Sequence, residues 1–146
     1  MTRCATNWQR AALIPMLLYA QDETGSITPE LVDEVARRLD VKPMEIDEVV
    51  TYYSMLRKKA VGRHHIQICT NISCLLTGGT ELYEHACHKL GIGNKEVTAD
   101  GQFSIEEVEC IGACSWAPAI QVGYDFHHRM TPEALDELIE SLRRTH

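Results

Sequence analysis

His64-His65-Ile66-Gln67-Ile68-Cys69-Thr70-Asn71-Ile72-Ser73-Cys74 begins as an alternating segment and ends as a hook between two cysteines. The alternation predicts a strand over 64–69, which sets Cys69 at a strand end and Cys74 in the loop that follows. A second hook, Cys110-Ile-Gly-Ala-Cys114, comes after another extended stretch, with 35 residues between the two pairs. Two short hooks leaving one sheet edge can converge on a common object. Four thiolates around one site are what a binuclear iron–sulfur cluster or a structural zinc ion requires.

Around these hooks the pattern predicts an α/β sandwich. A helix from about Gly79 to Leu90 carries Leu82, Ala86 and Leu90 on one face and closes at Gly91. Val97 to Cys110, turning at Ala99-Asp100-Gly101, reads as a hairpin. Ala119 to Val122 and Phe126 to Arg129 read as a second one, turning near Gly123-Tyr124-Asp125. Thr131-Pro132-Glu133 caps a last helix with Leu135, Leu138, Ile139 and Leu142 as its apolar stripe. The order is β-α-β-β-β-β-α, and the fold class is α+β.

Before this domain three helical patterns predict a small bundle. The first runs from about Arg10 to Glu23 and stops at Gly25. The second has Thr28 as cap, Pro29 at its first position and Leu31, Val32, Val35, Ala36 and Leu39 facing inward. Pro43 starts the third, with Met44, Ile46, Val49, Tyr53 and Leu56 directed to the core. The composition shift at Arg57-Lys58-Lys59 and Gly62 divides the chain into residues 1–61 and 62–146.

The chain has 146 residues, 45% of them hydrophobic and 24% charged, within the range of a folded globular protein. Its net charge is −7, the reverse of the basic footprint that phosphate backbones select, which argues against nucleic acid. Residues 62–146 hold 6 basic and 12 acidic side chains, so almost all the excess belongs to the cysteine-bearing part. No apolar run reaches the ~18 residues of a membrane span. Arg3, Arg10 and the stretch from Ala11 to Ala20 faintly imitate a secretory signal, but Pro15 and the pairs Leu13/Leu17 and Ile14/Leu18 fit a packed helix better.

Among readings of the four cysteines, disulfides need an oxidising compartment. A thioredoxin-type redox pair needs Cys-x-x-Cys, which neither hook supplies. Zinc knuckles favour shorter spacers, and a Rieske centre wants histidines close after the cysteines. The spacing favours a cluster and leaves zinc open. Cys87 reads as a small core residue and Cys4 as a free terminal thiol. The histidines, as His64-His65, His127-His128, His85 and His88, read as surface or packing residues. Trp116 either shields the cysteine site from water or packs in the core.

The strings Ile68-Cys-Thr-Asn-Ile-Ser-Cys74 and Val108-Glu-Cys-Ile-Gly-Ala-Cys114, followed by Ala117-Pro118, resemble the 24 kDa subunit family of the NADH:quinone oxidoreductase, respiratory complex I. The resemblance extends to Ile14-Pro15 through Gln21, Thr28-Pro29-Glu30-Leu31, Val49-Val50-Thr51-Tyr52-Tyr53-Ser54-Met55-Leu56, Val61-Gly62 and Thr131-Pro132-Glu133. The chain departs from the family at Tyr52-Tyr53, where Phe-Tyr is common, and in a short N-terminal extension, so contacts of a longer arm are expected to be missing.

The resemblance implies a thioredoxin-like [2Fe-2S] ferredoxin domain behind a partner-docking helical bundle, with Cys69, Cys74, Cys110 and Cys114 as the four ligands. It implies an electron-carrying subunit with no general acid, base or substrate pocket of its own. Its partner would be the flavoprotein subunit that holds FMN and NADH, in the peripheral arm of a membrane-attached complex on the cytoplasmic side, without membrane insertion. An equivalent subunit of an NAD-linked hydrogenase or formate dehydrogenase, and a free thioredoxin-like ferredoxin, are the alternatives.

With its ligands the oxidised cluster would carry a charge of about −2 and the reduced one about −3. Loop N–H groups, the Ser73 hydroxyl and N–H groups around Gly112 are the expected donors. Glycine at 112 would allow both unusual backbone angles and a close approach. Glu106, Glu107 and Glu109 would hold the potential near about −400 mV or below, unless they are merely a solvated strand edge. Pro118 is a candidate cis proline.

Overall fold

The computed structural model describes residues 10–144. The predicted free thiol at Cys4 and the basic Arg3 lie outside them. The chain divides into two compact units between Ala60 and Val61.

In the first unit α1 spans Leu13–Thr24, α2 Pro29–Leu39 and α3 Pro43–Tyr52. α1 ends where Gly25 enters the left-handed region at φ 79°, and its N–H bonds the Gln21 carbonyl at 2.7 Å. Thr28 caps α2, its hydroxyl accepting from the Leu31 N–H at 3.3 Å, with Pro29 behind it. Leu13, Leu17, Val32, Val35, Leu39, Ile46 and Val50 join in one core. Buried Gln21 ties α1 to the chain after α3, donating to the Met55 carbonyl at 3.0 Å and accepting from the Arg57 N–H at 2.6 Å. One inward assignment fails. Met44 is 70% exposed and Val50 is buried instead, because the helix turns the 46/50 pair, not 44, toward the core.

In the second unit β1 (His64–Cys69), α4 (Ile72–Leu75), α5 (Gly79–Leu90), β2 (Phe103–Val108), β3 (Ile120–Val122), β4 (Asp125–His127) and α6 (Pro132–Arg144) follow in order. The sheet order is β2-β1-β3-β4, with β1 parallel to β2 and antiparallel to β3. Ile66 registers with Ile105 on one side and Val122 on the other, and Ile68 with Ile120. Their shared face packs on Leu82 and Ala86 of α5 and Leu135 and Ile139 of α6, all fully or almost fully buried. The result is a mixed helix-and-sheet sandwich, as the apolar stripes require.

The predicted hairpin at 97–110 holds one full strand, β2. Its first limb is shortened to one antiparallel Val97–Ser104 bridge, flanked by backbone bonds from the Thr98 N–H to the Phe103 carbonyl at 2.9 Å and from the Lys95 N–H to the Ile105 carbonyl at 2.7 Å. Lys95 stands at φ 60°, which breaks extended backbone before the limb. The Thr98 hydroxyl donates to Asp100 at 2.5 Å and accepts the Phe103 N–H at 3.0 Å, so side-chain bonds close the turn beside the backbone ones. The second hairpin is present, with a tighter turn at Gly123-Tyr124 joining Val122 to Asp125.

Candidate functional site

The second unit gathers the cysteine hooks at one sheet edge. Parallel pairing sets Cys69 opposite Val108, so the chain leaves β1 and β2 side by side. The Thr70 N–H bonds the Val108 carbonyl at 3.2 Å, and the Cys69 thiol donates to the Glu109 carbonyl at 3.7 Å. After β1 the Asn71 side chain accepts the Ile72 N–H at 2.7 Å and starts α4, which carries Cys74. After β2 the chain passes Cys110 and Gly112, then winds through a single 3-10 turn, Cys114–Trp116, that packs against α4. Ala117–Pro118 is cis, as the sequence suggested. The Ala119 carbonyl then accepts the Cys69 N–H at 3.4 Å, and its own N–H bonds the Cys74 sulfur.

Two of the four sulfurs therefore have backbone donors, Cys74 from Ala119 and Cys110 from Gly112 at 3.3 Å. The loop around Gly112 thus supplies a donor, as expected. Gly112 stands at φ 76° with open space where a Cβ would be, so its need is the backbone angle and not a close approach. The close approach is at Gly79, where a Cβ would lie 2.7 Å from the Cys69 carbonyl oxygen and 2.8 Å from that of Cys74. Sequence reasoning passes over this glycine, since a glycine opening a helix looks like an ordinary cap.

Cys69 and Cys74 are buried, while Cys110 and Cys114 are exposed, and all four carry free thiols. Burial pushes the Cys74 thiol up, and the neighbouring Cys69 and Cys114 add to this against the Ala119 N–H. Metal loading must therefore displace a firmly held proton. Among the described residues no three His, Cys, Asp or Glu side chains are grouped as they would be around one ion. The donor set itself is all sulfur, with N–H groups aimed at it, and suits a soft thiolate-bound centre.

Behind Cys69, on the sheet face away from the helices, lies a polar network that sequence reasoning missed. His65 Nδ1 is 2.8 Å from the Ser104 hydroxyl, and its Nε2 is 3.1 Å from Glu106. Gln67 donates to the same carboxylate at 3.1 Å, and Lys95 Nζ approaches it at 3.4 Å. The signal was present in the alternation, which puts 65, 67 and 69 on one face. Glu106 is therefore no solvated edge residue, at 8% exposure, whereas Glu107 and Glu109 are exposed.

The His65 hydrogen bond, with help from Gln67 and Lys95 and against the cost of burial, holds the Glu106 carboxyl at about 2. A carboxyl depressed on folding stabilises the protein above its unfolded value, near 4.5, and that contribution fades as pH falls toward the folded one. At about 1.36 kcal/mol per unit it amounts to at most about 3 kcal/mol. Urea midpoints of the full chain should fall between pH 4.5 and 2, and Glu106→Gln should start lower at pH 7 and show a shallower acid slope. Equal acid slopes would refute the assignment.

The remaining candidates have ordinary surroundings. Cys87 is half-buried against the core. His85 bonds Asp136 at 2.9 Å. Trp116 is not a core residue, since it is 50% exposed and stacks on His128 with ring centres 5.0 Å apart.

Residues 2–143 match the family model described as thioredoxin-like [2Fe-2S] ferredoxin. The chain is 41% identical over 135 residues to a subunit of the NADH-quinone oxidoreductase of Rhizobium meliloti (strain 1021), covering 92% of this chain and 80% of that protein. It is 40% identical over 136 residues to NADH-quinone oxidoreductase subunit 2 of Thermus thermophilus, covering 92% and 75%. Among solved structures, an NAD+-reducing [NiFe]-hydrogenase in the H2-reduced state superposes with a TM-score of 0.75 at 22% identity. That match covers 90% of this chain but only 23% of the hydrogenase chain, and it establishes likeness of fold.

Proposed function

The chain belongs to the thioredoxin-like [2Fe-2S] ferredoxin family, and from that premise we propose that Cys69, Cys74, Cys110 and Cys114 hold one [2Fe-2S] cluster in the electron-transfer subunit of an NADH:quinone oxidoreductase. The observation that carries the reading is the gathering of both hooks at one edge, where Cys69 registers with Val108 and α4 packs on the Cys114–Trp116 turn. A two-iron cluster takes two thiolates on each iron, so it does not ask four side chains to meet at one ion.

When bound, such a cluster supplies a one-electron site. The chain's own part is to hold and shield it. Cys69 and Cys74 anchor the buried side, where water is excluded. The N–H groups of Gly112 and Ala119 point at sulfur and offset its negative charge. The Glu106 carboxylate, kept ionised by His65, Gln67 and Lys95, adds fixed negative charge on the Cys69 face of the sheet and opposes a further electron.

The relatives named as subunits of NADH-quinone oxidoreductase support a place in the NADH-oxidising module, beside a flavoprotein subunit with FMN and the NADH site. Residues 1–61 serve there as the docking bundle and 62–146 as the cluster domain. The outer surface of α3, where Met44, Asp47, Glu48, Thr51 and Tyr52 line an open groove of about 550 Å³, is the bundle's contact. Among the described residues no helix is long and apolar enough to cross a membrane. The module itself would form the peripheral arm of the complex, on the cytoplasmic side.

Anaerobic purification followed by visible and EPR spectroscopy tests the cluster. A red-brown protein with a rhombic signal equivalent to one spin per chain after dithionite is the expected result. A colourless protein holding one zinc would overturn electron transfer.

A further inference from the structure

The carboxylate behind Cys69 is held unevenly. His65 Nε2 and Gln67 Nε2 both meet Glu106 Oε2 at 3.1 Å, whereas Oε1 faces Lys95 Nζ at 3.4 Å. Among the described residues Lys95 is the one lysine or arginine paired with Glu106. The carboxylate is buried, but the lysine side chain is 71% exposed. A fixed charge on the sheet is thus answered by a cation that stands largely in water.

The register brings this pair close to the cysteine edge. Glu106 is opposite Gln67, and Val108 is opposite Cys69. Since 65, 67 and 69 share a face, the carboxylate stands one strand over and two residues before Cys69, about 7 Å back along the strand. At that range, beside a water-poor face, a charge acts on an arriving electron.

Lys95 is also rooted next to its partner. Its N–H bonds the Ile105 carbonyl at 2.7 Å, and the Ile105 N–H bonds the Glu96 carbonyl at 3.3 Å, which pins the loop to β2 beside Glu106. The backbone at Lys95 stands at φ 60°, a conformation that a β-carbon disfavours and glycine adopts freely. Gly93 and Asn94 come just before, yet a lysine fills the strained position. An outlier that presents a cation to a buried carboxylate points to a use for that cation.

We infer that Lys95 is a positioning residue for electron transfer: paired with Glu106, it cancels part of the carboxylate's field at Cys69 and so sets how readily the centre accepts an electron. The inference rests on the cluster proposed above. Lys95 acts through Glu106, because without the carboxylate its long side chain turns into solvent, where its field is screened.

The test is a redox titration of the cluster-loaded full chain, read by EPR at one pH, in Lys95→Arg, Lys95→Gln and Lys95→Glu. Each replacement carries a β-carbon, as lysine does, so the series shares the φ 60° backbone and varies the charge. At a fixed applied potential Lys95→Gln should lower the reduced-to-oxidised ratio about threefold and Lys95→Glu further, while Lys95→Arg stays at the wild-type value. Glu106→Gln should raise the ratio about tenfold, or about 59 mV for one electron, and Lys95→Gln should add nothing in that background. Lys89→Gln, which removes a cation paired with Asp136, should leave the ratio unchanged. Added salt should shrink the Lys95 differences and spare most of the Glu106 one. Iron content, EPR line shape and circular dichroism equal to wild type separate a changed field from a changed fold. If Glu106→Gln does not fold, the Lys95 series alone decides. A loaded chain whose potential ignores the charge at Lys95, or a Lys95→Gln shift that persists without Glu106, overturns the inference and leaves the cluster standing. A chain that takes up no cluster overturns the proposed function and this inference with it.

Discussion

A chain carrying Cys74→Ser is expected to be purified with little iron, little sulfide and almost no visible colour. Cys74 is 2% exposed, and its sulfur receives the Ala119 N–H. Serine preserves the volume and can keep that hydrogen bond, so the fold should survive while a soft ligand is exchanged for a hard one. Changes to residues that only support a ligand cost about 10–100-fold in metal affinity, and loss of a ligand should cost at least the upper figure. Cys87→Ser, altering a half-buried residue packed against the core, should retain full iron content. Iron and sulfide analysis with near-ultraviolet circular dichroism distinguishes the two. Wild-type iron in the Cys74→Ser protein would remove Cys74 from the ligand set.

Gly62→Ala should be the most destabilising small change in the second unit. A Cβ there would sit 2.4 Å from the Phe103 carbonyl carbon, 2.7 Å from its oxygen and 2.8 Å from the Ser104 nitrogen. All three are backbone atoms, which cannot swing aside as a side chain would. The Gly62 N–H also bonds the Ser104 hydroxyl at 3.0 Å, so the strain falls on the start of β2, where His64 registers with Phe103. The expected loss is about 3 kcal/mol, the upper end of ordinary overpacking. Gly25→Ala, at φ 79° with nothing within 4 Å, should cost only the left-handed backbone penalty, about 1 kcal/mol. Urea midpoints of the two variants provide the comparison. A Gly62→Ala protein no weaker than Gly25→Ala would show that the β2 backbone yields freely.

Local signals in this sequence read well wherever one residue type decides the geometry. Thr28-Pro29 starts a helix, Gly25 and Gly91 end helices, and Gly123 turns a hairpin, because each acts through its own backbone or cap. The limb at Val97 is shorter than its pattern implies because alternation alone cannot see Lys95 at φ 60°, which leaves one bridge and its flanking backbone bonds to β2. The cysteine hooks are legible as pairs. Their meeting is not, since it depends on parallel register between strands separated by α5. The same gap hides the His65–Glu106 pair, whose members are distant in sequence and adjacent only after the strands align.

That register also dictates an order of events during biogenesis. The two hooks lie on opposite sides of a crossover, and closing it is a non-local step whose entropy is lost before any reward arrives. Nascent chain emerging only as far as Cys74 offers half of the ligand pairs, and the second hook is positioned only when β2 has zipped onto β1. Delivery machinery that needs all four thiols would thus encounter a finished sheet, and iron–sulfur loading would act as a checkpoint that selects completed molecules. Occupancy would then hold them folded by mass action, since a preformed ligand set exists only in the native state.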